Sequence, residues 1–333
     1  MPAEIQRPSD KPSYFLISVS TRENLDLCTK YGLAGFPSGE SGAWTYCEIQ
    51  EGDFVSFLHG AKAHNLYQVR EKEALKSADS LPPWKPLFFE ESGTTYSFPF
   101  RLHLQLNRKF IEPVVRTEFF YVAENLLLRG GYRKTHFQAD QTTLQSVSEM
   151  GFVSRDPLET LILPDHNTFS LRFTRSKELI SKPETFRFRE TILQSAIRRH
   201  LTSETNLQAM LTQLELTNVG ASELEILGEK PLPQGHIDLL LKQRVPLGSS
   251  LKIPMEVKTD KGQTEDLAQL RAYMDELQGE CPGGVLIAFD FSKQTVAKAP
   301  EAGIRLIRYA LGADLKTAVT FDEIQKSLSL TRM

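Results

Sequence analysis

Short runs of branched apolar residues alternate with polar ones along the chain, and longer stretches repeat apolar residues at helical spacing. Such runs predict strands and helices respectively. In the first half the pattern predicts strands at 14–19, 53–58, 65–70 and 96–106. A helix is predicted over Arg22–Tyr31, since Thr21 can cap its start and Gly32 can end it, while 35–42 has loop composition. These elements predict an α+β unit, a small mixed barrel with helices.

The second half has the pattern of an α/β unit with a central mixed sheet. Helices are predicted at 188–201 and 264–277, and strands at 224–227, 237–241, 253–258 and 285–289. Turn residues at 244–250 join two of these strands as a hairpin. The stretch 151–183 is punctuated by proline and has little periodicity, apart from one candidate strand at 168–173. We therefore assign 12–150 to one domain, 151–183 to a linker and 184–333 to a second domain.

Composition narrows the functional classes. The 333 residues carry 39 Lys and Arg against 42 Asp and Glu, a net charge of -3, so nucleic acid would have to contact local basic patches. The cysteines Cys28, Cys47 and Cys281 are widely spaced, which predicts free thiols and no zinc cluster. No leader-like or membrane-spanning apolar run is present, so we expect a cytoplasmic protein with no membrane partner.

The predicted hairpin concentrates charged residues at one end. Residues two apart in a strand share a face, so Glu256 and Lys258 project together while Val257 points the other way. In the simplest register Asp238 lies beside Glu256. Two carboxylates and an ammonium would then meet at one strand edge, which suits a hard divalent cation. The alternative is that Asp238 caps a turn and that Glu256 and Lys258 form an exposed charge pair.

The motif formed by Asp238 and Glu256-Val257-Lys258 resembles that of the PD-(D/E)XK nuclease superfamily. The run Gly-His-Ile-Asp-Leu-Leu-Leu from residue 235 is similar to the RecB-like and NucS-like branch, and the predicted order of strands and helix matches that core. The resemblance implies Mg²⁺ or Mn²⁺ as cofactor and a lysine that orients the attacking water. It implies the catalytic set Asp238, Glu256, Lys258, Glu190 and Gln269, and metal ligands from Asp238, Glu256 and the Val257 carbonyl.

The first domain carries a second resemblance, to the EVE and YTH domains of the PUA-like superfold. It rests on Tyr-Phe-Leu-Ile-Ser-Val-Ser from residue 14, Gly-Asp-Phe-Val-Ser-Phe-Leu from residue 52 and Tyr-Ser-Phe-Pro-Phe-Arg-Leu from residue 96. The resemblance implies that a modified base is flipped into an aromatic pocket. The candidate rings are Trp44, Trp84, Phe36 and Phe88, and the candidate base-edge contacts are Ser18, Ser20 and Asn24. Ordinary core packing is the alternative for each ring.

Basic residues form two clusters that could contact the DNA backbone. Arg116, Arg129, Arg133 and Lys134 are interleaved with aromatic residues, and Arg187, Arg189, Arg198 and Arg199 flank Glu190. Such residues suit phosphate binding. A solvated helix face explains them equally well.

Together the two resemblances predict a modification-dependent restriction endonuclease acting on double-stranded DNA. Cutting both strands with one centre per chain would require two protomers, so we expect a homodimer. One alternative is a NucS-like repair nuclease that recognises a mismatch or a DNA structure. Another is a non-catalytic reader of modified nucleic acid, and RNA is a further candidate ligand of the first domain.

Overall fold

The computed structural model describes residues 11–60, 62–90, 93–115, 135–154, 156–216, 219–233 and 235–333. The predicted backbone contacts Arg133 and Lys134, with Arg116 and Arg129, lie outside these ranges and stay predictions.

The described helices are α1 (Arg22–Tyr31), α2 (Glu40–Glu48), α3 (Gln141–Glu149), α4 (Glu190–Thr202), α5 (Glu204–Gln213), α6 (Thr264–Leu277), α7 (Lys293–Lys298) and α8 (Phe321–Ser327), with 3-10 turns at Lys177–Leu179, Ala221–Glu223 and Gln278–Glu280. The strands of the first half are β1 (Tyr14–Ser18), β2 (Leu33–Phe36), β3 (Phe54–His59), β4 (Lys62–Ala74), β5 (Leu87–Phe89), β6 (Thr94–Tyr96), β7 (Phe100–Lys109), β8 (Val114–Val115) and β9 (His136–Ala139). They continue with β10 (Phe152–Val153), β11 (Arg172–Thr174), β12 (Thr185–Arg187), β13 (Leu224–Leu232), β14 (Gly235–Gln243), β15 (Lys252–Gly262), β16 (Gly284–Phe291), β17 (Ile304–Leu311), β18 (Val319–Thr320) and β19 (Leu328–Arg332).

The first half is built on an eight-stranded mixed sheet. Its strand order is β10-β7-β4-β3-β1-β9, with β2 paired to β7 and β8 to β4. The predicted barrel is not closed over the described residues. The outer edge of β7 is shared between the short strands β2 and β10, and neither of them pairs with β9.

Local sequence signals explain the start of this half. The hydroxyl of Thr21 accepts a hydrogen bond from the Asn24 N–H at 3.1 Å, and Gly32 ends α1 with a φ of 59°. Both features confirm the predicted helix.

The predicted loop at 35–42 is wrong, because β2 occupies its start and α2 begins at Glu40. Gly42 reflects close packing, since a Cβ there would lie 1.9 Å from the Pro37 carbonyl oxygen.

The second half is a six-stranded mixed sheet in the order β13-β14-β15-β16-β17-β19. Strands β14 and β15 form the predicted antiparallel hairpin, and β15, β16 and β17 run parallel to one another. Helix α6 covers one face through Leu267 and Leu270, while α4 covers the other through Leu193 and Ile197. The predicted order of strands and helices is therefore observed.

The two halves pack around one continuous core. A single apolar cluster runs from Phe15 and Phe57 through Ile197 of α4 to Val257 of β15. The stretch 151–183, predicted to be a linker, supplies β10 to the first sheet, and its residue Phe173 is fully buried. Phe152 and Val153 are exposed on β10, which pairs with β7, whereas Phe173 packs into the core that the two halves share.

A buried ion pair joins α2 of the first half to α4 of the second. Arg198 is 0% exposed, and its guanidinium binds the carboxylate of Glu48 and, at 2.8 Å, the Glu48 carbonyl. Ser195 donates to the same carboxylate and accepts from the Trp44 indole N–H at 3.0 Å. The predicted DNA contact by Arg198 is therefore wrong, because its donors are enclosed between the two halves.

A second polar cluster joins α3 to the β13–β14 pair. The Lys242 ammonium lies 2.7 Å from an Asp140 oxygen and 3.4 Å from a Glu225 oxygen. The other Glu225 oxygen accepts from the Gln141 N–H at 2.9 Å. Burial raises the pKa of Glu225 to about 7, against the opposing effect of Lys242. For Asp140, burial opposes ionisation, but Lys242 outweighs it and lowers the pKa.

This cluster predicts a pH dependence of stability. Glu225 binds its proton more tightly when folded, so its contribution to stability is complete below its unfolded pKa of about 4.3 and is lost as pH rises through about 7. We expect Glu225→Gln to reduce the fall in unfolding free energy between those pH values by about 1–3 kcal/mol. Urea melts across this range measure the difference. Glu301→Gln, at an exposed acid, is the control, and an equal pH slope in wild type and Glu225→Gln would contradict the assignment.

Candidate functional site

The carboxylate site forms where the hairpin ladder ends. Strands β14 and β15 pair from Lys242 with Lys252 as far as Leu239 with Met255. Continuing this register places Asp238 opposite Glu256. There the Asp238 carboxylate, at 2.8 Å, accepts the Val257 N–H. The Asp238 side chain thereby takes the place of a backbone carbonyl as the acceptor for the Val257 N–H. Asp238 and Glu256 are thus both fixed at the end of the ladder.

Lys258 links its own strand, β15, to helix α4. Its ammonium lies 2.8 Å from Glu256 Oε1 and 3.6 Å from Glu190 Oε1. Glu190 is the first residue of α4, so the helix approaches the strand edge with its N-terminal acid. Glu256 is only 1% exposed, and its second oxygen is buried with no hydrogen-bond partner among the described residues.

The surroundings of Asp238, Glu256 and Glu190 disfavour the ionised form of all three side chains. Burial, and then the neighbouring Glu256, raise the pKa of Asp238 well above its ordinary value. Burial likewise raises the pKa of Glu256 and of Glu190, although Lys258 opposes both shifts. For Lys258, burial disfavours the charged form, but Glu256, Glu190 and Asp238 outweigh it and raise the pKa. The site therefore holds crowded acids around one firmly protonated lysine.

These residues fit a divalent cation. The partnerless oxygen of Glu256 and the raised pKa values of its neighbours are what an additional positive charge would relieve. Across the described ranges, no three His, Cys, Asp or Glu side chains already stand close enough together to enclose a metal. A backbone carbonyl and water would have to complete the ligands, as is usual for Mg²⁺.

Gln269 lies on α6 and contacts Tyr273, a residue to which the sequence pattern assigned no role. Its amide N–H donates to the Tyr273 hydroxyl at 2.7 Å. Burial raises the pKa of Tyr273, and Glu256 and Asp238 add to this shift. The ring also packs on Gly235, where a Cβ would lie 2.7 Å from the hydroxyl. The spacing of four residues between Gln269 and Tyr273 was the available signal.

A separate cleft of about 1240 Å³ opens on the first half. Four of the predicted base contacts line it, namely Ser18, Ser20, Asn24 and Trp84. Tyr96 and Phe98 line it too, and the sequence argument did not select them. Their strand alternation, in Tyr-Ser-Phe, was the available signal. Aromatic and hydroxyl groups therefore surround one opening.

Trp84 is held firmly at the cleft wall. Its ring lies against the backbone of Gly35, where a Cβ would come within 2.5 Å of it. The Phe98 ring is 5.8 Å away, and the Arg101 guanidinium lies 5.4 Å from the indole. Trp84 is 6% exposed, so it contributes an edge of its ring to the cleft.

The other predicted rings lie elsewhere. Trp44 packs at 4.8 Å on the His136 ring between the two halves, and Phe36 is wholly buried in the core. Phe88 is 63% exposed and does not line the cleft. Core packing, the alternative stated for each ring, explains Trp44 and Phe36, whereas Phe88 is exposed outside the cleft.

The predicted backbone-binding arginines also separate. Arg199 lies 3.4 Å from the buried Asp53 carboxylate, so it stabilises the contact between the halves. Arg189 binds Glu40, another cleft residue, at 2.9 Å and stays half exposed. Arg187 is exposed on β12. Only Arg187 and Arg189 of this group remain accessible to DNA.

Comparison with known proteins gives weak likenesses in structure alone. No protein-family model matches the chain, and no curated protein matches it in sequence.

None of the helices in the described part of the chain combines the length and apolar character needed to cross a membrane.

Three solved structures illustrate the likeness. The YTH domain of a Zygosaccharomyces rouxii protein, in complex with N6-methyladenosine RNA, matches at TM-score 0.26 and 14% identity, covering 48% of this chain and 96% of its own. The DNA modification-dependent restriction endonuclease AspBHI matches at TM-score 0.21 and 13% identity, covering 85% and 67%. The MspJI restriction endonuclease, in complex with a 27-mer oligonucleotide, matches at TM-score 0.19 and 12% identity, covering 82% and 64%.

Both kinds of protein that the sequence resembles thus occur among the solved structures matched to this chain.

Proposed function

We propose that the protein is a divalent-metal-dependent DNA endonuclease that recognises a modified base in double-stranded DNA. The observation that carries the proposal is the meeting of Asp238, Glu256 and Lys258 at the end of the β14–β15 ladder, with the Lys258 ammonium 2.8 Å from Glu256. Buried acids that can hold a divalent cation, beside a charged lysine, suit metal-dependent hydrolysis of a phosphodiester.

Each residue of the site has a task in this proposal. Asp238, Glu256 and the Val257 carbonyl would hold Mg²⁺ or Mn²⁺, which when bound lowers the pKa of water and offsets charge on the reacting phosphate. Lys258, fixed between two carboxylates, orients the attacking water and stabilises negative charge where it develops. Glu190 holds Lys258 in place, and Gln269 positions Tyr273 beside the acids.

The cleft of the first half would receive the modified base. An extruded base buries its faces against aromatic rings, and Tyr96 and Phe98 supply such surfaces, while Trp84 adds the edge of its ring. Ser18, Ser20 and Asn24 would recognise its polar edge. Since one centre cuts one strand, cleavage of both strands would use a homodimer.

Metal-dependent hydrolysis is tested on supercoiled plasmid isolated from hosts with and without DNA methylation. The proposal predicts nicked or linear product in Mg²⁺ or Mn²⁺, and none in EDTA. Conversion that persists in EDTA would contradict a metal-dependent centre.

The cleft assignment predicts which variants lose discrimination. Tyr96→Ala should lower the preference for modified over unmodified duplex by roughly five- to hundredfold, the range of aromatic stacking on one base, and Trp84→Phe, which keeps a ring, should lower it by less. Phenylalanine is used at Trp84 because alanine would leave a core cavity. Cleavage rates on the two duplexes measure the preference. Phe88→Ala, at an exposed ring outside the cleft, is the matched control, and equal loss in all three variants would contradict the assignment.

A further inference from the structure

An arginine that the sequence argument left unassigned lies beside the carboxylate site. Arg175 directly follows β11, in the stretch predicted to be a linker. Its guanidinium donates to the Thr259 carbonyl at 3.0 Å and approaches the Tyr309 hydroxyl at 3.4 Å. It also lies 5.9 Å from the centre of the Phe188 ring. These contacts hold an exposed guanidinium next to the residue that follows Lys258.

Thr259 connects Arg175 to the catalytic residues. Its backbone donates a hydrogen bond to Glu190, and its carbonyl accepts from the Tyr309 hydroxyl at 2.5 Å as well as from Arg175. Glu190 and Arg175 therefore bind two sides of one residue at the end of the motif. A group bound by Arg175 would lie at the same strand edge as Lys258.

Arg175 supplies a positive charge beside a site that is rich in carboxylates. Asp238, Glu256 and Glu190 would repel an approaching phosphate, and the Lys258 ammonium is already shared between two of them. No carboxylate in the described ranges lies within ion-pair distance of Arg175, and its side chain is exposed. The planar guanidinium has further N–H groups, which suit a phosphate oxygen.

An exposed ring extends the same surface. Phe289, near the end of β16, is 54% exposed, and its ring meets Tyr309 edge-on with the centroids 6.1 Å apart. Tyr309 thus lies between Phe289 and Arg175. An apolar ring beside a guanidinium that has no carboxylate partner among the described residues suits a nucleotide, whose sugar or base adjoins its phosphate.

We propose that Arg175 binds a DNA backbone phosphate at or beside the scissile bond, and that Phe289 contacts the adjoining sugar or base. The proposal rests on the nuclease function proposed above. It adds a phosphate-binding residue from the stretch 151–183. Substrate binding would therefore also depend on the conformation of that stretch.

The test combines two readouts on the full-length protein. The first is affinity for a fluorescein-labelled random-sequence duplex, measured over a range of salt with Ca²⁺ in place of Mg²⁺. Arg175→Gln should lower the slope of log Kd against log salt by about one phosphate contact, and Arg175→Lys should restore it. The second is the plasmid cleavage rate at saturating DNA, which Arg175→Gln should lower about tenfold or more. Arg172→Gln, at an exposed arginine in the preceding strand β11, should change neither.

Phe289 has a matched control in β10. Phe289→Ala should weaken duplex binding about fivefold, while Phe152→Ala, at a ring that is 50% exposed, should not. Equal effects of the two substitutions would overturn the assignment of Phe289.

The outcomes separate the two proposals. If wild type cleaves and Arg175→Gln matches Arg172→Gln in slope and rate, the role of Arg175 is wrong and the nuclease stands. If wild type binds without cleaving and Arg175→Gln still lowers the slope, the nuclease proposal fails and the phosphate contact stands. Absence of DNA binding by wild type overturns both.

Discussion

Asp238→Asn is expected to abolish DNA cleavage while the protein stays folded and binds DNA. Asparagine keeps the acceptor for the Val257 N–H but loses the negative charge that would hold the metal. We expect the rate to fall by more than about a thousandfold, as when a main electrostatic contributor is removed. Plasmid nicking measures the rate, and the random-sequence duplex measures binding.

The unfolding free energy of Asp238→Asn distinguishes a loss of catalysis from a loss of folding. Burial and Glu256 raise the pKa of Asp238 in the folded state, so its ionised carboxylate destabilises the fold at neutral pH. The stability it contributes is present below its unfolded pKa and is lost as pH rises. Asp238→Asn should therefore leave the unfolding free energy at pH 7 unchanged or increased. Asp260→Asn, at an exposed acid on the neighbouring strand β15, should keep normal cleavage. Cleavage by Asp238→Asn near the wild-type rate would contradict the site assignment.

Arg198→Met is expected to cause the largest loss of stability. It removes the cation that pairs with Glu48 and leaves a carboxylate buried between the halves. Breaking a buried pair from one side costs about 3–5 kcal/mol. Urea unfolding should show this loss, while Arg187→Met, at an exposed arginine of β12, should change the unfolding free energy little.

The double variant Glu48→Gln with Arg198→Met refines this prediction. It removes both charges, so it should be more stable than Arg198→Met alone. A single variant as stable as wild type would show that the pair does not hold the halves together. A double variant less stable than Arg198→Met would contradict the cost assigned to the uncompensated carboxylate.

The carboxylate edge was predictable because its geometry is local. Strand alternation places Glu256 and Lys258 on one face, and the simplest hairpin register brings Asp238 opposite Glu256. Helical spacing likewise directed attention to Glu190, which lies 3.6 Å from Lys258. Few alternatives satisfy these short-range constraints.

Contacts between the halves were not predictable in this way. Arg198 was taken for a surface residue because its partner Glu48 lies 150 positions away, and helical periodicity does not reveal such a partner. Trp44 and Phe36 were chosen as pocket rings by residue type, but tertiary packing places them in the core and between the halves. The cleft depends on how separate strands and loops meet, so Tyr96 and Phe98 emerged only from the fold.

Cleavage of matched duplexes by the wild-type protein in Mg²⁺ tests the central claim most directly. The duplexes would be identical in sequence and either unmodified or carry 5-methylcytosine, 5-hydroxymethylcytosine or N6-methyladenine. The proposed function predicts that cutting is confined to one modified duplex, which would also identify the base. Equal cutting of all four, or cutting confined to mismatched or branched DNA, would contradict recognition of a modified base and favour a repair nuclease.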